Sequence, residues 1–191
     1  MNEASPARTG RDPPSLDAQG DNLQAAAEEP PRPAWVYHSP MSTLADPAAI
    51  LRSATILVLV DWPSRDVPDT LAKAGYTVLV KGGPEPDAYS VQEVQGDKVV
   101  PHPLGRRPDR ADIVYSHRPL DELPGIVALA GDLGATVVWC QSGLSAPGVK
   151  DPTGCWLTPD TSQQARHIVE SAGLHYIDDT YIAEAVRQLA I

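Results

Sequence analysis

Short apolar runs alternate along the chain with segments in which apolar residues recur every three or four positions. The run Ile56–Val60 is apolar at every position, which is typical of a strand in a parallel sheet with helices on both faces. Residues 66–74 instead place Val67 and Leu71 on one side of a predicted helix that ends at Gly75. Strands are predicted at residues 55–60, 76–80, 111–115, 135–140 and 174–177, and helices at 46–51, 66–74, 119–133, 161–172 and from 178 or 179 onward. This alternation predicts an α/β protein with a mainly parallel sheet.

Capping signals mark the starts of three predicted helices. Asp46 precedes the first helix as its cap, and the sequence Thr-Ser-Gln-Gln at residues 161–164 matches a capping box. Asp178 or Asp179 is expected to cap the last helix, because a short carboxylate there accepts hydrogen bonds from the first free backbone N–H groups.

Two stretches fall outside the periodic pattern. Residues 1–45 are rich in proline and acidic residues, and they lack the apolar surface that would offset their ordering entropy, so a disordered tail is predicted. The folded domain is predicted to span residues 46–191. Within it, residues 81–108 are expected to be irregular, with at most a short strand at 97–100.

The charge balance narrows the class of partner. Fifteen basic residues against 25 acidic ones give a formal net charge of −10, which disfavours nucleic acids and anionic membrane surfaces. The apolar runs are far shorter than the roughly 20 residues that span a bilayer. The N-terminus has neither the basic nor the apolar block of a signal peptide, so a cytoplasmic protein is expected.

The reactive side chains show no catalytic or metal-binding spacing. Cys140 and Cys155 lie far apart, and the five histidines are scattered without the spacing of a helical zinc pair. No metal site is therefore expected. Cys140 lies close to Ser142, but Gly-x-Ser-x-Gly is absent and no histidine is placed to act as a base. We predict no catalytic residue and a buried, unreactive Cys140 thiol.

One segment of the chain resembles a known family. Residues 134–143 read Gly-Ala-Thr-Val-Val-Trp-Cys-Gln-Ser-Gly and resemble the Gly-Ala-Lys-Val-Val-Trp-Leu-Gln-Leu-Gly segment of the stand-alone CoA-binding domain family. Shorter matches occur in the same order at residues 74–78, 112–114, 120–124 and 172–174. The resemblance covers roughly residues 48–190.

The resemblance implies a fold and a ligand. Family members are similar to the CoA-binding domain of succinyl-CoA synthetase, so a Rossmann-like three-layer fold is expected, with CoA or acyl-CoA at the carboxyl ends of the strands. Open α/β sheets bind ligands at that edge, where helix N-termini favour phosphates. The predicted binding residues follow four strands and are Asp61, Trp62, Ser64, Arg65, Lys81, Arg118, Gln141, Ser142 and Gly143.

The chain departs from the family pattern along this edge. Members usually have Gly-x-Ser after the first strand, whereas this chain has Val60-Asp61-Trp62. Asp61 would place a carboxylate near a phosphate, at about 1 to 4 kcal/mol for a 4 Å separation, which Arg65 could offset. The family's Asp-Arg-Cys motif reads Asp-Asp-Thr at residues 178–180, and residues 147–156 look inserted.

These features lead to three hypotheses of function. The first is a non-catalytic protein that binds CoA, an acyl-CoA or a related adenine nucleotide. The second is a degenerate Rossmann module without ligand, which acts as an interaction or regulatory subunit with a protein partner or as a homodimer, and the glycine-free loop at Asp61 favours it. The third, an NAD(P)-dependent enzyme, is weaker because Gly-x-Gly-x-x-Gly is absent and Lys81, which suits a phosphate, follows the second strand.

Asp61→Gly tests whether the departure from the family pattern weakens binding. We expect the affinity for CoA to rise about tenfold, equivalent to about 1.4 kcal/mol, because the change removes a carboxylate and restores a backbone that a phosphate can approach. Isothermal titration calorimetry of both proteins measures this directly, with Asp97→Gly as the control. Equal affinities of wild type and Asp61→Gly would show that the carboxylate does not oppose the ligand.

Overall fold

The computed structural model describes residues 46–60, 65–82, 85–141, 144–145, 149–150, 157–178 and 180–189. The helices are α1 Pro47–Ser53, α2 Asp66–Lys73, α3 Leu123–Asp132, α4 Pro159–Ser171 and α5 Ile182–Leu189, with a 3-10 turn at Leu120–Glu122 before α3. The strands are β1 Ile56–Val60, β2 Thr77–Lys81, β3 Tyr89–Gln95, β4 Lys98–Pro103, β5 Ile113–Ser116, β6 Val137–Cys140, β7 Leu144–Ser145, β8 Val149–Lys150 and β9 His175–Ile177.

Seven of these strands form one sheet in the order β4-β3-β2-β1-β5-β6-β9. The five strands from β2 to β9 are parallel, and β3 and β4 extend the sheet as an antiparallel hairpin. Strands β7 and β8 pair separately as a short antiparallel ribbon. The predicted α/β class and mainly parallel sheet are therefore confirmed.

Helices cover both faces of the sheet. Helices α1, α2 and α5 pack over one core, and α3 and α4 pack over the other. Alternate strand residues supply the two cores, as when Leu57 and Leu59 face α2 while Val58 between them faces the α3 side. This two-sided burial explains why the parallel strands are apolar at every position.

The prediction that residues 81–108 are irregular was wrong, because β3 and β4 form a hairpin there. The hairpin turns through Gly96, whose φ of 61° suits a two-residue turn, and Asp97. Pro101 and Pro103 obscure β4 in the sequence. They are accommodated because β4 is the edge strand of the sheet. No described strand pairs with its outer side, so a missing N–H on that side removes no hydrogen bond between strands.

Two predicted helix starts also differ from the structure. Helix α4 begins at Pro159, and the side chain of Thr158 accepts the capping hydrogen bond from the backbone N–H of Thr161 at 3.3 Å. The carboxylate of Asp178 binds the Ser162 and Arg166 side chains of α4 instead of capping a helix. Helix α5 begins at Ile182. The alternative cap, Asp179, lies outside the described residues, as does the predicted tail at 1–45.

Asp112 ties the amino end of β5 to the start of β1. Its Oδ2 atom accepts hydrogen bonds from the backbone N–H groups of Thr55 and Ile56 at 2.7 and 2.8 Å and from the Thr55 hydroxyl at 2.9 Å. Burial alone would raise the pKa of Asp112, but these hydrogen bonds and the nearby Arg110 together lower it below the ordinary value. The ionised carboxylate therefore holds the two central strands side by side.

Asp112→Asn is expected to lower the free energy of unfolding by about 1 to 2 kcal/mol at pH 7, because a neutral amide accepts these bonds less strongly. A folded-state pKa below the unfolded value means that the stabilisation is present above about pH 4 and is lost as the pH falls through the folded pKa. Urea unfolding at pH 7 and pH 3 should thus show a wild-type advantage that shrinks in acid. Asp109→Asn is the control, since Asp109 is 84% exposed and pairs with Arg106 on the surface.

Candidate functional site

The chain reverses its direction across the sheet between β1 and β5. From β1 it passes through α2 on one face to β2, and from β5 it passes through α3 on the opposite face to β6. Such a switch leaves a crevice beyond the carboxyl ends of the two central strands, where α/β proteins place ligands. The carboxyl end of β1 at Val60 and the residues that follow Ser116 border this crevice.

Backbone hydrogen bonds extend the sheet by one step at this edge. The N–H of His117 donates to the carbonyl of Val60 at 3.5 Å, and the N–H of Gln141 donates to the carbonyl of Ser116 at 2.9 Å. His117 and Gln141 are thereby held next to each other at the ends of β5 and β6. These two hydrogen bonds fix the backbone at this edge of the sheet.

A cleft of about 320 Å³ opens beside the crevice, between α3 and α4. The loop 117–119 and the start of α3 form one wall, and the first turns of α4 with Leu157 form the other. Cys140 and Gln141 line it from the end of β6. The lining is mostly apolar, with a small number of polar groups, as in the ligand pockets of other proteins.

Gln141 is the polar group of this cleft that stands out. The residue is 1% exposed, and among the described residues neither its Nε2 nor its Oε1 atom has a hydrogen-bond partner. Buried side-chain amides are nearly always hydrogen-bonded, because leaving them unpaired is unfavourable by about 1 to 3 kcal/mol. An unpaired buried amide beside a cleft is a candidate for hydrogen bonds to a ligand.

Arg118 lines the same cleft but is paired by its neighbour. Its guanidinium group donates to both carboxylate oxygens of Glu122, through Nε at 2.8 Å and through Nη2. The hydrogen bond from Arg118 and its charge lower the pKa of Glu122. The Arg118 backbone N–H also donates to the Ser116 hydroxyl at 3.1 Å, which shapes the loop after β5. The positive charge of Arg118 is largely balanced by Glu122.

The two other described candidates lie on the far side of the crevice. Lys81 is the last residue of β2 and stands beside Val60 in the sheet register. Arg65 precedes α2, and its guanidinium group donates to the Gln92 side chain at 2.9 Å and to the Val99 carbonyl at 3.1 Å. The structure thus brings Arg118 and Gln141 together in one cleft, while Arg65 is tied to the β3-β4 hairpin.

Five predicted site residues lie outside the described residues. They are Asp61, Trp62 and Ser64, which follow β1, and Ser142 and Gly143, which follow Gln141. Their roles stay predictions from the sequence.

The sequence profile of the CoA binding domain family matches residues 56–185 of this chain. The chain belongs to this CoA binding domain family. The match runs from the first residue of β1 into α5 and therefore includes the whole parallel sheet and the cleft between α3 and α4. The predicted family resemblance is confirmed.

Solved structures similar to this CoA binding domain have little sequence identity with it. A hypothetical protein from Pyrococcus horikoshii OT3 is 20% identical, with a TM-score of 0.48, and the match covers 76% of this chain and 91% of that one. A Thermus thermophilus protein described as cell-free ID.343 is 23% identical, with a TM-score of 0.44, over 74% of this chain and 94% of that chain. A protein redesigned for binding, Prb, is 19% identical, with a TM-score of 0.49, over 76% and 90% of the two chains. No curated protein matches the sequence significantly.

Beyond the cleft, the CoA binding domain contains a buried polar cluster that sequence reasoning missed. Asp178, which is 7% exposed, accepts a hydrogen bond from the Ser162 hydroxyl and lies 3.7 Å from Nη2 of Arg166. Arg166 also covers the ring of Tyr176, with 5.1 Å between the guanidinium carbon and the ring centroid. These contacts hold α4, and hence one wall of the cleft, against β9. Asp178 matches the first residue of the family's Asp-Arg-Cys motif, and this match is the sequence feature that could have indicated the cluster.

Cys140 lies between this cluster and the cleft, where its thiol is protonated. Burial and the negative charge of Asp178 raise the pKa of Cys140 to about 12. Burial likewise raises the pKa of Tyr176. A thiol is a nucleophile only as the thiolate, so this environment disfavours nucleophilic chemistry at Cys140, and the predicted burial of its thiol is confirmed.

Two broader features concern the described part of the chain. None of its helices combines the length and the apolar character needed to cross a membrane. Among the same residues, no three His, Cys, Asp or Glu side chains come together as metal ligands would.

Alkylation tests the environment of Cys140. In a Cys155→Ser background, where Cys140 is the remaining thiol, iodoacetamide at pH 8 should react at least about a hundredfold more slowly with the folded than with the urea-unfolded protein. Mass spectrometry of timed samples gives both rates. Folded and unfolded rates within tenfold of each other would show that Cys140 is accessible and ionised.

Proposed function

We propose that this chain is a CoA-binding protein that holds CoA or an acyl-CoA at the carboxyl edge of β1, β5 and β6, without catalysing a reaction itself. The observation that carries the proposal is the cleft beside the β1-β5 crevice, in a domain whose family is named for CoA binding. The crevice and the cleft both lie at the edge that parallel α/β sheets use for nucleotides, which supports the proposed position of the ligand.

The phosphate-binding end of the proposed site lies on the β2 side of the crevice. Lys81 ends β2 there, half-buried, and no carboxylate of the described residues pairs with its ammonium group. Asp66 in the first turn of α2 would oppose an anion, but Arg187 and the Tyr181 hydroxyl bind its carboxylate. The phosphates and the adenine of CoA are proposed to contact Lys81 and the predicted residues Asp61, Trp62 and Ser64.

The absence of catalysis is proposed from the chemistry of the cleft. Cys140 carries a protonated thiol, and Arg118 is paired with Glu122. The cleft supplies hydrogen-bonding groups and apolar surface, which support binding and orientation. Ser142 and Gly143, which follow the cleft in sequence, are proposed to contact the ligand through the backbone.

A second candidate is the interaction or regulatory module without a nucleotide. The pairing of both arginines favours it, because Arg65 is engaged by Gln92 and Asp69 and Arg118 by Glu122. A nucleotide would have to compete for these guanidinium groups. In this case the partner is another protein or a second copy of the chain.

Calorimetry with CoA, acetyl-CoA, ATP and NAD separates the two candidates. We expect CoA and acetyl-CoA to bind with dissociation constants of about 1 to 10 µM and ATP and NAD at least about tenfold more weakly. Binding of none of the four at millimolar concentration would overturn the proposal and support the interaction module.

Lys81→Gln is expected to weaken CoA binding about fivefold at low ionic strength, equivalent to about 1 kcal/mol, because it removes a charge next to the proposed phosphate position. The loss should shrink in 0.5 M NaCl, where the attraction is screened. Lys73→Gln is the matched control, since it makes the same charge change in the last turn of α2, at the opposite edge of the sheet. Equal affinities of the two variants would place the phosphates elsewhere.

A further inference from the structure

The cleft between α3 and α4 is large enough for only part of a CoA molecule. Its volume of about 320 Å³ lies at the lower end of the roughly 300 to 1,000 Å³ found for ligand pockets. The phosphates of CoA are strongly charged, whereas its pantetheine arm and a simple aliphatic acyl group are neutral. The lining decides which of these parts belongs in the cleft.

Neutral groups dominate that lining. Leu120 and Leu123 contribute from the α3 side, and Leu157 and Ala165 contribute from the α4 side. Arg118 brings a charge, but Glu122 binds it with two hydrogen bonds. A surface of this kind releases free energy when it buries methylene groups and offers little to a phosphate.

Gln141 adds a specific requirement to this apolar surface. It lines the cleft and is 1% exposed, and its buried carbonyl oxygen and amide nitrogen both lack a hydrogen-bond partner among the described residues. A ligand with both a carbonyl group and an N–H group satisfies the two atoms together. The amide of a pantetheine arm has both groups, and the acyl chain beyond it would contact the leucines.

We propose that the cleft receives the acylated end of a short-chain acyl-CoA, with Gln141 hydrogen-bonded to the pantetheine amide and the acyl chain packed between α3 and α4. The inference rests on the proposed function and deepens it. Its consequence is that the protein prefers acyl-CoA to free CoA, and that the preference increases with chain length until the cleft is full.

An acyl-chain series tests this preference. We expect the affinity to rise from CoA through acetyl-CoA to butyryl-CoA, by about threefold to fourfold per buried methylene, and to stop rising at longer chains. Thr161→Leu enlarges a residue that lines the cleft from the first turns of α4. It should abolish the gain for butyryl-CoA, so that CoA and butyryl-CoA bind to this variant with affinities within about twofold of each other.

Thr136→Leu is the matched control for Thr161→Leu. Thr136 lines a cavity of about 330 Å³ at the opposite edge of the sheet, before β6. The same substitution there should leave the acyl series unchanged. If Thr136→Leu removes the preference equally well, the effect does not arise in the cleft and the inference is wrong.

Gln141→Met tests the unpaired amide with two readouts. The unliganded variant should unfold at a higher urea concentration than wild type, because an apolar side chain of similar size replaces a buried group without a partner. Its affinity for CoA and butyryl-CoA should fall about tenfold. Gln92→Met is the stability control, since Gln92 is also buried but is bonded to Ser90 and Arg65, so this variant should be less stable than wild type.

The outcomes distinguish the inference from the function on which it rests. Failure of CoA and every acyl-CoA to bind wild type overturns both. Binding of CoA with a flat acyl series, or with a series that Thr161→Leu does not alter, overturns the inference alone. A Gln141→Met variant that is less stable than wild type and binds normally shows a purely structural glutamine and also overturns it.

Discussion

The parallel pairing of β1 with β5 is the constraint on which the site depends. The chain leaves these neighbouring strands toward opposite faces of the sheet, because each crossover to a parallel strand must be right-handed. Such a switch leaves a crevice at the carboxyl edge of the two strands. Asp112 secures the same pair of strands at the amino edge by binding the backbone of Thr55 and Ile56. Core packing then supplies the rest of the stability on both faces.

The side of the crevice toward β6 combines apolar surface with one unsatisfied polar group. Within the described part of the chain, the Gln141 amide is buried without a partner, although its backbone N–H is bonded to Ser116. A fold selected for stability alone would place an apolar side chain there. A buried polar group without a partner lowers the stability of the fold. Such groups are common at functional sites, where a ligand supplies the missing hydrogen bonds.

Ion pairs within the protein limit which cationic side chains of the site can bind a phosphate. Arg118 is bound by Glu122 and Arg65 by Asp69 and Gln92, so neither is a free phosphate ligand in the described structure. Lys81 is left as the cation at the end of a central strand. The family assignment and the apolar lining of the cleft both support the proposed binding of CoA. Ligand affinity would come from the backbone edge, from Lys81 and from apolar burial more than from a cluster of arginines.

The sequence by itself determined the α/β class, the five parallel strands and the family, because buried parallel strands are continuously apolar and helices show their own period. It also located Arg118 and Gln141 at strand ends. It did not determine the β3-β4 hairpin, since an edge strand tolerates Pro101 and Pro103 and its half-exposed residues lack a clear pattern. Only the tertiary structure decided that the Gln141 amide finds no partner among the described residues, that Glu122 neutralises Arg118, and that Asp178 binds Ser162 and Arg166 instead of capping α5. Whether a polar group is paired depends on what packs against it in three dimensions, and local sequence does not encode that.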